Sequence, residues 1–351
     1  MRHIVCSLVM VGCMGPRAPA PQCTGNPTLL LTTTDFVVGA LARVDDQGCV
    51  DDRLATTGSD ALLARMEDEV LLLERGTANV LRRLDPLAPA TPVWEVALES
   101  GANAHDVAMV ADTLWVAQYD LPEVSLRDPV SGAEVGSLSL DAFNDADGLA
   151  EADSFGVLGG RLFLALQQFD RTMGWVSDSG WIVEIDPIGA TVVQSWSTGP
   201  SPRLVSRGPD AQSLIVVTGT YGVADGALSV FDGATLVEVA TEAEIGGDLG
   251  SYAESNDLGV MAVTDFELGG EARLACVDWP TGDLVIGKAE TAWYVDIAVG
   301  EQSLEVGVRR GWGEGDAPGV AKVDPDLCEL HPSRVVTSLE PYSLLALQNG
   351  A

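Results

Sequence analysis

Arg127-Asp-Pro-Val-Ser-Gly132 and Ile185-Asp-Pro-Ile-Gly189 each close an apolar, β-type run with an aspartate that opens a turn. Asp accepts a hydrogen bond from its own downstream backbone, Pro presets φ, and Gly takes the left-handed conformation that other residues resist. The same chemistry returns at Phe231-Asp-Gly-Ala-Thr235, Val277-Asp-Trp-Pro-Thr-Gly282 and Val323-Asp-Pro325, and the full series runs Asp45, Asp85, Asp128, Asp186, Asp232, Asp278, Asp324. The intervals are 40, 43, 58, 46, 46 and 46 residues. That is the length of one four-stranded blade, so the period predicts an all-β, seven-bladed propeller. Aspartates spaced in this way are turn-formers, not catalytic groups.

The same strand order recurs around each turn. Runs such as Thr28-Leu-Leu-Leu31, Val70-Leu-Leu-Leu73, Thr113-Leu-Trp-Val116 and Arg161-Leu-Phe-Leu164 read as second strands, and the residues leading into each aspartate as third strands. Asp106–Val110, Arg203–Val205 and Val295–Val299 read as first strands, and no segment carries a sustained helical period. The chain enters this pattern on a second strand at Thr28 and leaves it on a first strand, Ser343-Leu-Leu-Ala-Leu347. Strands from the two ends should therefore share a blade, which removes the unpaired edge and closes the ring. The propeller is expected over residues 28–348.

Met1-Arg-His-Ile-Val-Cys-Ser-Leu-Val-Met-Val-Gly-Cys13 has a basic start, an apolar stretch and a small residue before cysteine. It resembles a bacterial lipoprotein signal peptide over residues 1–12, which implies lipidation at Cys13, with the Pro- and Ala-rich stretch to residue 27 as a tether. Of the remaining cysteines, Cys49 and Cys328 each stand four residues past a repeat aspartate. Equivalent turns of neighbouring blades are too far apart for the Cα separation of about 4.4–6.8 Å that a disulfide needs, so the expected pairs are Cys23 with Cys49 and Cys276 with Cys328. The chain is accordingly read as exported to the cell envelope, lipid-anchored at the outer membrane, and monomeric.

Composition excludes some partners. With 52 Asp and Glu against 19 Lys and Arg, the net charge is −33. Such a field repels nucleic acid and anionic lipid, leaving a lipid anchor as the means of membrane contact. It leaves basic proteins, glycans and cations as partners.

The repeat breaks in the fourth blade, at the 58-residue interval. Insertions on a rigid ring are where sites are built. This region holds Asp145-Ala-Asp-Gly-Leu-Ala-Glu151 and Gln167-Gln-Phe-Asp-Arg171. On those motifs, and on Leu114-Trp-Val-Ala117 in place of the tetrapeptide that names the family, the chain resembles the YVTN-like seven-bladed propeller lipoproteins of bacteria. That resemblance implies an outer-surface location and assigns no activity. Asp147, Glu151, Gln168, Asp170, Arg171 and Trp175 are expected to line one loop-face site, where an exposed indole flanked by Arg and acids suits a sugar ring or a basic side chain. Asp145, Asp147, Glu151 and Asp153 are hard oxygen donors of the kind calcium takes. An EF-hand loop would put Phe143 at its first ligand position, so the pattern does not match that site, and no cofactor is expected.

Catalytic constellations are sparse. Gly311-Trp-Gly-Glu-Gly315 joins two strands and carries an acid, unlike a phosphate loop. His105-Asp106 is the best polar pair. Two functions follow from these residues: a surface-anchored binding or scaffold propeller, which is the favoured reading, and a lactonase-like hydrolase using His105, Asp106, Asp147, Arg203 and Asp296 at the channel mouth.

Overall fold

Each of the seven aspartates accepts backbone N–H groups from its own turn: from Gln47 and Cys49 at Asp45, Leu87 at Asp85, Ser131 at Asp128, Ile188 at Asp186, Ala234 and Thr235 at Asp232, Thr281 at Asp278, and Asp326 and Leu327 at Asp324. Every one of them turns a third strand into a fourth. The computed structural model describes residues 23–347 except 67, 77, 208–210, 266–270, 301–302 and 311–316. The signal-like stretch with Cys13 and the Gly311–Gly315 segment lie outside the described residues.

Seven antiparallel four-stranded sheets result, each in the order first, second, third, fourth strand. Blade 1 is the composite one. Its second to fourth strands are Pro27–Thr34, Gly39–Asp45 and Val50–Thr57, and its first strand is Glu340–Ala346, paired antiparallel to Pro27–Thr34. The ring therefore closes by the two ends sharing a blade, as the strand order predicts. First strands of the other blades are Ala61–Met66, Ala104–Val110, Ala152–Leu158, Arg203–Ser206, Asp248–Ser255 and Ala292–Val299.

Second strands read as unbroken apolar runs because they are covered on both faces. Leu29, Leu30 and Leu31 are buried, as are Leu71 to Leu73 and Leu162 to Leu166. Their side chains point alternately into the two seams beside the blade. The core is accordingly a circle of seven clusters, each between two adjacent blades, including Leu344 and Ala346 against Ala298 and Val320 where blade 1 meets blade 7.

Both expected disulfides are present. Cys23–Cys49 ties the lead-in segment to blade 1, and Cys276–Cys328 joins the third strand of blade 6 to the turn of blade 7. These bridges are those of a chain that folds in an oxidising, extracytoplasmic compartment. Among the described residues, two 3-10 turns, Asp141–Phe143 and Arg171–Met173, and one α-helical turn, Glu242–Ile245, interrupt the all-β pattern. The α-helical turn is held by a capping box in which Thr241 and Glu244 bond each other's backbone.

Candidate functional site

First strands line the central channel, and five carry a β-bulge where they reach the loop face: at His105, at Asp153 and Ser154, at Gly250 and Ser251, at Val295 and Asp296, and at Tyr342. A bulge re-aims side chains, and here it turns two successive residues of a strand toward one opening. That opening is a cavity of 690 Å³.

One of the two rings of residues so formed is structural. Leu62, Asp106, Ser154, Arg203, Ser251, Asp296 and Ser343 recur every 44 to 49 residues at one register position. Five of them accept a backbone N–H from the next blade. Asp106 Oδ2 accepts from Phe155 at 2.7 Å, Ser154 Oγ from Leu204 at 2.8 Å, Ser251 Oγ from Ile297 at 3.3 Å, Asp296 Oδ2 from Leu344 at 2.8 Å, and Ser343 Oγ from Leu63 at 3.2 Å. Asp106 and Asp296 also accept from Val107 and Ile297 through their other oxygens, and Asp296 from Ser251 Oγ. Their lone pairs are committed to holding blades together. Arg203 occupies the same position, yet among the described residues its side chain makes no hydrogen bond and no ion pair within 4.0 Å, and it acts on Asp153 only as a nearby charge, which leaves its donors for something else.

This contrast is measurable. Asp296→Ala leaves the Leu344 and Ile297 N–H groups unpaired and is expected to cost about 3 kcal/mol, or roughly 4 °C of melting temperature for a chain of this length. Arg203→Ala is expected to change stability by less than about 0.5 kcal/mol. Scanning calorimetry of the two variants checks the pair; a wild-type transition in Asp296→Ala would show that the inter-blade bonds contribute nothing.

The second ring, one residue earlier, carries the chemistry. His105 pairs with Asp153 of the next blade, not with its neighbour Asp106. The Nδ1–Oδ1 distance is 3.0 Å, and the imidazole stacks on Tyr119 with ring centroids 3.9 Å apart. Burial alone would raise the Asp153 carboxyl, but the hydrogen bond and charge of His105, with Arg203 beside them, hold it below the ordinary carboxylate range. An ionised Asp153 fixes Nδ1 as the donor and frees Nε2.

The fourth-blade insertion forms the adjoining wall. Its two loops meet where Arg171 N donates to Asp147 Oδ2 at 3.1 Å, and the Arg171 guanidinium lies near Asp120, Asp147 and Glu151 and over the rings of Trp175 and Tyr119. Of the six residues expected to form a site here, several have internal duties. Asp170 caps the turn Arg171–Met173, Gln168 accepts from Trp181 Nε1, and Glu151 accepts from Phe169 N. Trp175 is exposed and packs against Phe169, which itself lines the cavity. Asp147 serves the loop and does not line the cavity, whereas His105, Asp106, Arg203 and Asp296 do.

No three of the four carboxylates considered for a metal bring ligand oxygens within 4.8 Å of one another, although Asp145 lies beside Asp147, whose backbone N–H it accepts. Asp153 is drawn to His105, while Asp147 and Glu151 are countered by Arg171. Among the described residues, the one group of three Cys, His or acidic residues with ligand atoms within 4.8 Å of one another is Cys23, Asp45 and Cys49, whose sulfurs form the disulfide.

Several carboxyls on this face titrate late, Asp248 and Asp296 among them because of burial. Desolvation pushes Asp106 up to about 7 against its two N–H bonds. Burial and then Asp147 push Glu151 up to about 8, and burial pushes Glu242 up to about 7. A carboxyl with a raised folded pKa binds its proton more tightly when native, so its stabilisation is full below about 4 and vanishes as pH rises through 7 to 8. Asp153 acts oppositely, contributing above about 4 and failing on acidification. Stability should peak near pH 5 and decline toward about pH 8.5 in a melting series; a steady rise over that range would contradict the assignment.

No family model matches the chain, and no curated protein matches it. Solved structures do share its fold. The periplasmic gluconolactonase of Pseudomonas aeruginosa superposes with a TM-score of 0.66 at 17% identity, covering 92% of this chain and 99% of that one. A candidate 6-phosphogluconolactonase of Bacteroides fragilis gives 0.64 at 12% identity, covering 93% and 99%. Hydrazine synthase of Kuenenia stuttgartiensis gives 0.61 at 14%, covering 83% and 90%. At such identities the likeness establishes the seven-bladed propeller and nothing finer.

Proposed function

We propose that the chain is an exported binding propeller, tethered through Cys13, that holds a sugar-like, polyhydroxylated ligand at the loop-face mouth of its channel. The observation that carries this is the continuity of the wall: Trp175 and Phe169 lead into the cavity on one side, and Arg171, Tyr119, His105 and Asp153 form one stacked and hydrogen-bonded run beside it. Aromatic faces next to fixed carboxylate and guanidinium groups match the apolar and hydroxyl faces of a pyranose. Arg203, free of structural bonds, is the residue best placed to contact such a ligand.

The test is retention on a glycan array followed by calorimetric titration. Arg203→Ala is expected to weaken binding about tenfold or more while melting like the wild type. Failure of every glycan to bind, or binding indifferent to Arg203→Ala and Trp175→Ala alike, would overturn the reading.

A second reading, hydrolysis of a sugar lactone, is favoured by one feature: Asp153 orients His105 so that Nε2 can act as a base in the same cavity. The two solved lactonase-type neighbours are consistent with it. Turnover of gluconolactone, falling at least about a hundredfold in His105→Gln, would select it.

A further inference from the structure

We propose that Arg75, Tyr342 and Arg309, on the blade 1 side of the channel mouth, form an oxyanion subsite, so that the ligand of the cavity carries a carboxylate or phosphate group. This rests on the channel mouth being a ligand site, but not on the ligand being a sugar.

In so acidic a chain an arginine has carboxylates in easy reach. Arg43 pairs with Asp51, Arg83 with Glu69, Arg127 with Glu134, Arg161 with Glu184 and Arg207 with Glu254. Arg309 departs from this. It is only 9% exposed and, among the described residues, forms no ion pair within 4.0 Å; its Nε donates to Pro341 O at 2.7 Å, and its Nη2 has no hydrogen-bond partner among them. The guanidinium is held between the rings of Phe36 and Tyr342, 5.1 and 4.9 Å from their centroids. The nearby acids are engaged elsewhere: Asp60 with Arg75 and Tyr342, and Glu340 with Arg310. Desolvation lowers the Arg309 pKa against the opposing charges of Tyr342, Glu340 and Asp60, and a buried cation is costly unless a paired anion offsets it.

Arg75 reaches the same phenol, its guanidinium carbon 5.9 Å from the ring centroid. Its Nη2 donates to Tyr342 Oη at 2.6 Å, and its Nε is buried without a partner. Arg75 and Tyr342 therefore share one carboxylate, Asp60, and Arg309 has none of its own among the described residues. All three side chains line the cavity that also holds His105, Asp153 and Arg203. Planar guanidinium forks are suited to carboxylate and phosphate oxygens, and both satisfy the leftover donors. The structural alternative is that Arg309 only fastens blade 7 to blade 1 through Pro341 O.

Calorimetric titration at low ionic strength with inorganic phosphate, galacturonate and galactose separates these. The subsite predicts that phosphate binds, and that galacturonate binds about tenfold or more tighter than galactose, from which it differs by its carboxylate. Arg309→Met should abolish phosphate binding and bring the galacturonate preference to about one. Should Arg309→Met fail to fold, Arg75→Gln, which leaves the Pro341 contact intact, should reduce both by about threefold or more. Galactose bound as tightly as galacturonate, with no phosphate binding, would overturn the subsite and leave the sugar reading standing. Phosphate binding lost in the variants, with no saccharide bound, would support the subsite and overturn the sugar reading. Wild-type preference in both variants would assign Arg309 to the structural role alone.

Discussion

Removal of residues 341–351 should abolish cooperative folding. That cut takes away nearly all of Glu340–Ala346, the first strand of blade 1, and with it the ladder from Leu29–Ala346 to Thr33–Pro341. It also empties the 7–1 seam of Leu344 and Ala346 and the 1–2 seam of Leu347. Asp296 loses Leu344 N, Thr32 Oγ1 loses Ser343 N, and Leu63 N loses its acceptor. The cut leaves Pro27–Thr34 without its inner partner and strips packing from the seams on both sides of blade 1, so that the ring is open there and neighbouring seams lose their support in turn. Near-UV circular dichroism and calorimetry of the truncated chain should show no sharp transition. A melt like that of the full chain would mean that six blades stand without the seventh being complete.

Reduction of the disulfides should produce the next largest effect. Cys276–Cys328 spans 52 residues and Cys23–Cys49 spans 26. Chain entropy assigns such loops roughly 4 and 3.5 kcal/mol through restriction of the unfolded chain. Together, at the unfolding entropy of a chain of 351 residues, they correspond to a fall in melting temperature of roughly 10 °C. The larger share should come from the bridge between blades 6 and 7, since it also fixes the seam in which Cys276 and Cys328 are buried. Melting with and without a thiol reductant, and of Cys276→Ser against Cys23→Ser, measures both parts. Equal melting temperatures in all four samples would show that the bridges do not restrict the unfolded chain.

Local chemistry made the fold legible. An aspartate that accepts from its own turn needs only its next few residues, so the seven turns, the blade length and the composite closing blade could be read in order along the chain. The disulfide pairing followed because the turns set where Cys49 and Cys328 must lie. The channel was harder, since its contacts join residues almost a blade apart. His105 lies beside Asp106 in sequence yet pairs with Asp153, because the bulge turns successive side chains different ways and the next blade brings the better acceptor within 3.0 Å. Asp106 and Asp296, which the sequence reading named among the channel-mouth residues of a hydrolase, are fastened to Phe155 and Leu344 of neighbouring blades. A signal for this was present: laying the first strands over one another puts Asp106, Ser154, Ser251, Asp296 and Ser343 in one column of acceptors, with Leu62 and Arg203 as the departures. The short helix also had its signature in Thr241-Glu-Ala-Glu244, a capping box too brief to show as a helical period. Arg75 and Tyr342 had none, because they are 267 residues apart and meet only where the ring closes.

The most direct measurement is a crystal structure of the full chain grown with galacturonate. Binding at the channel mouth predicts ordered density inside the 690 Å³ cavity, with His105 and Asp153 on one side, Tyr342 on the other and Arg203 within hydrogen-bonding distance. Ordered saccharide on the outer surface of a blade, with the channel mouth holding only water, would contradict it.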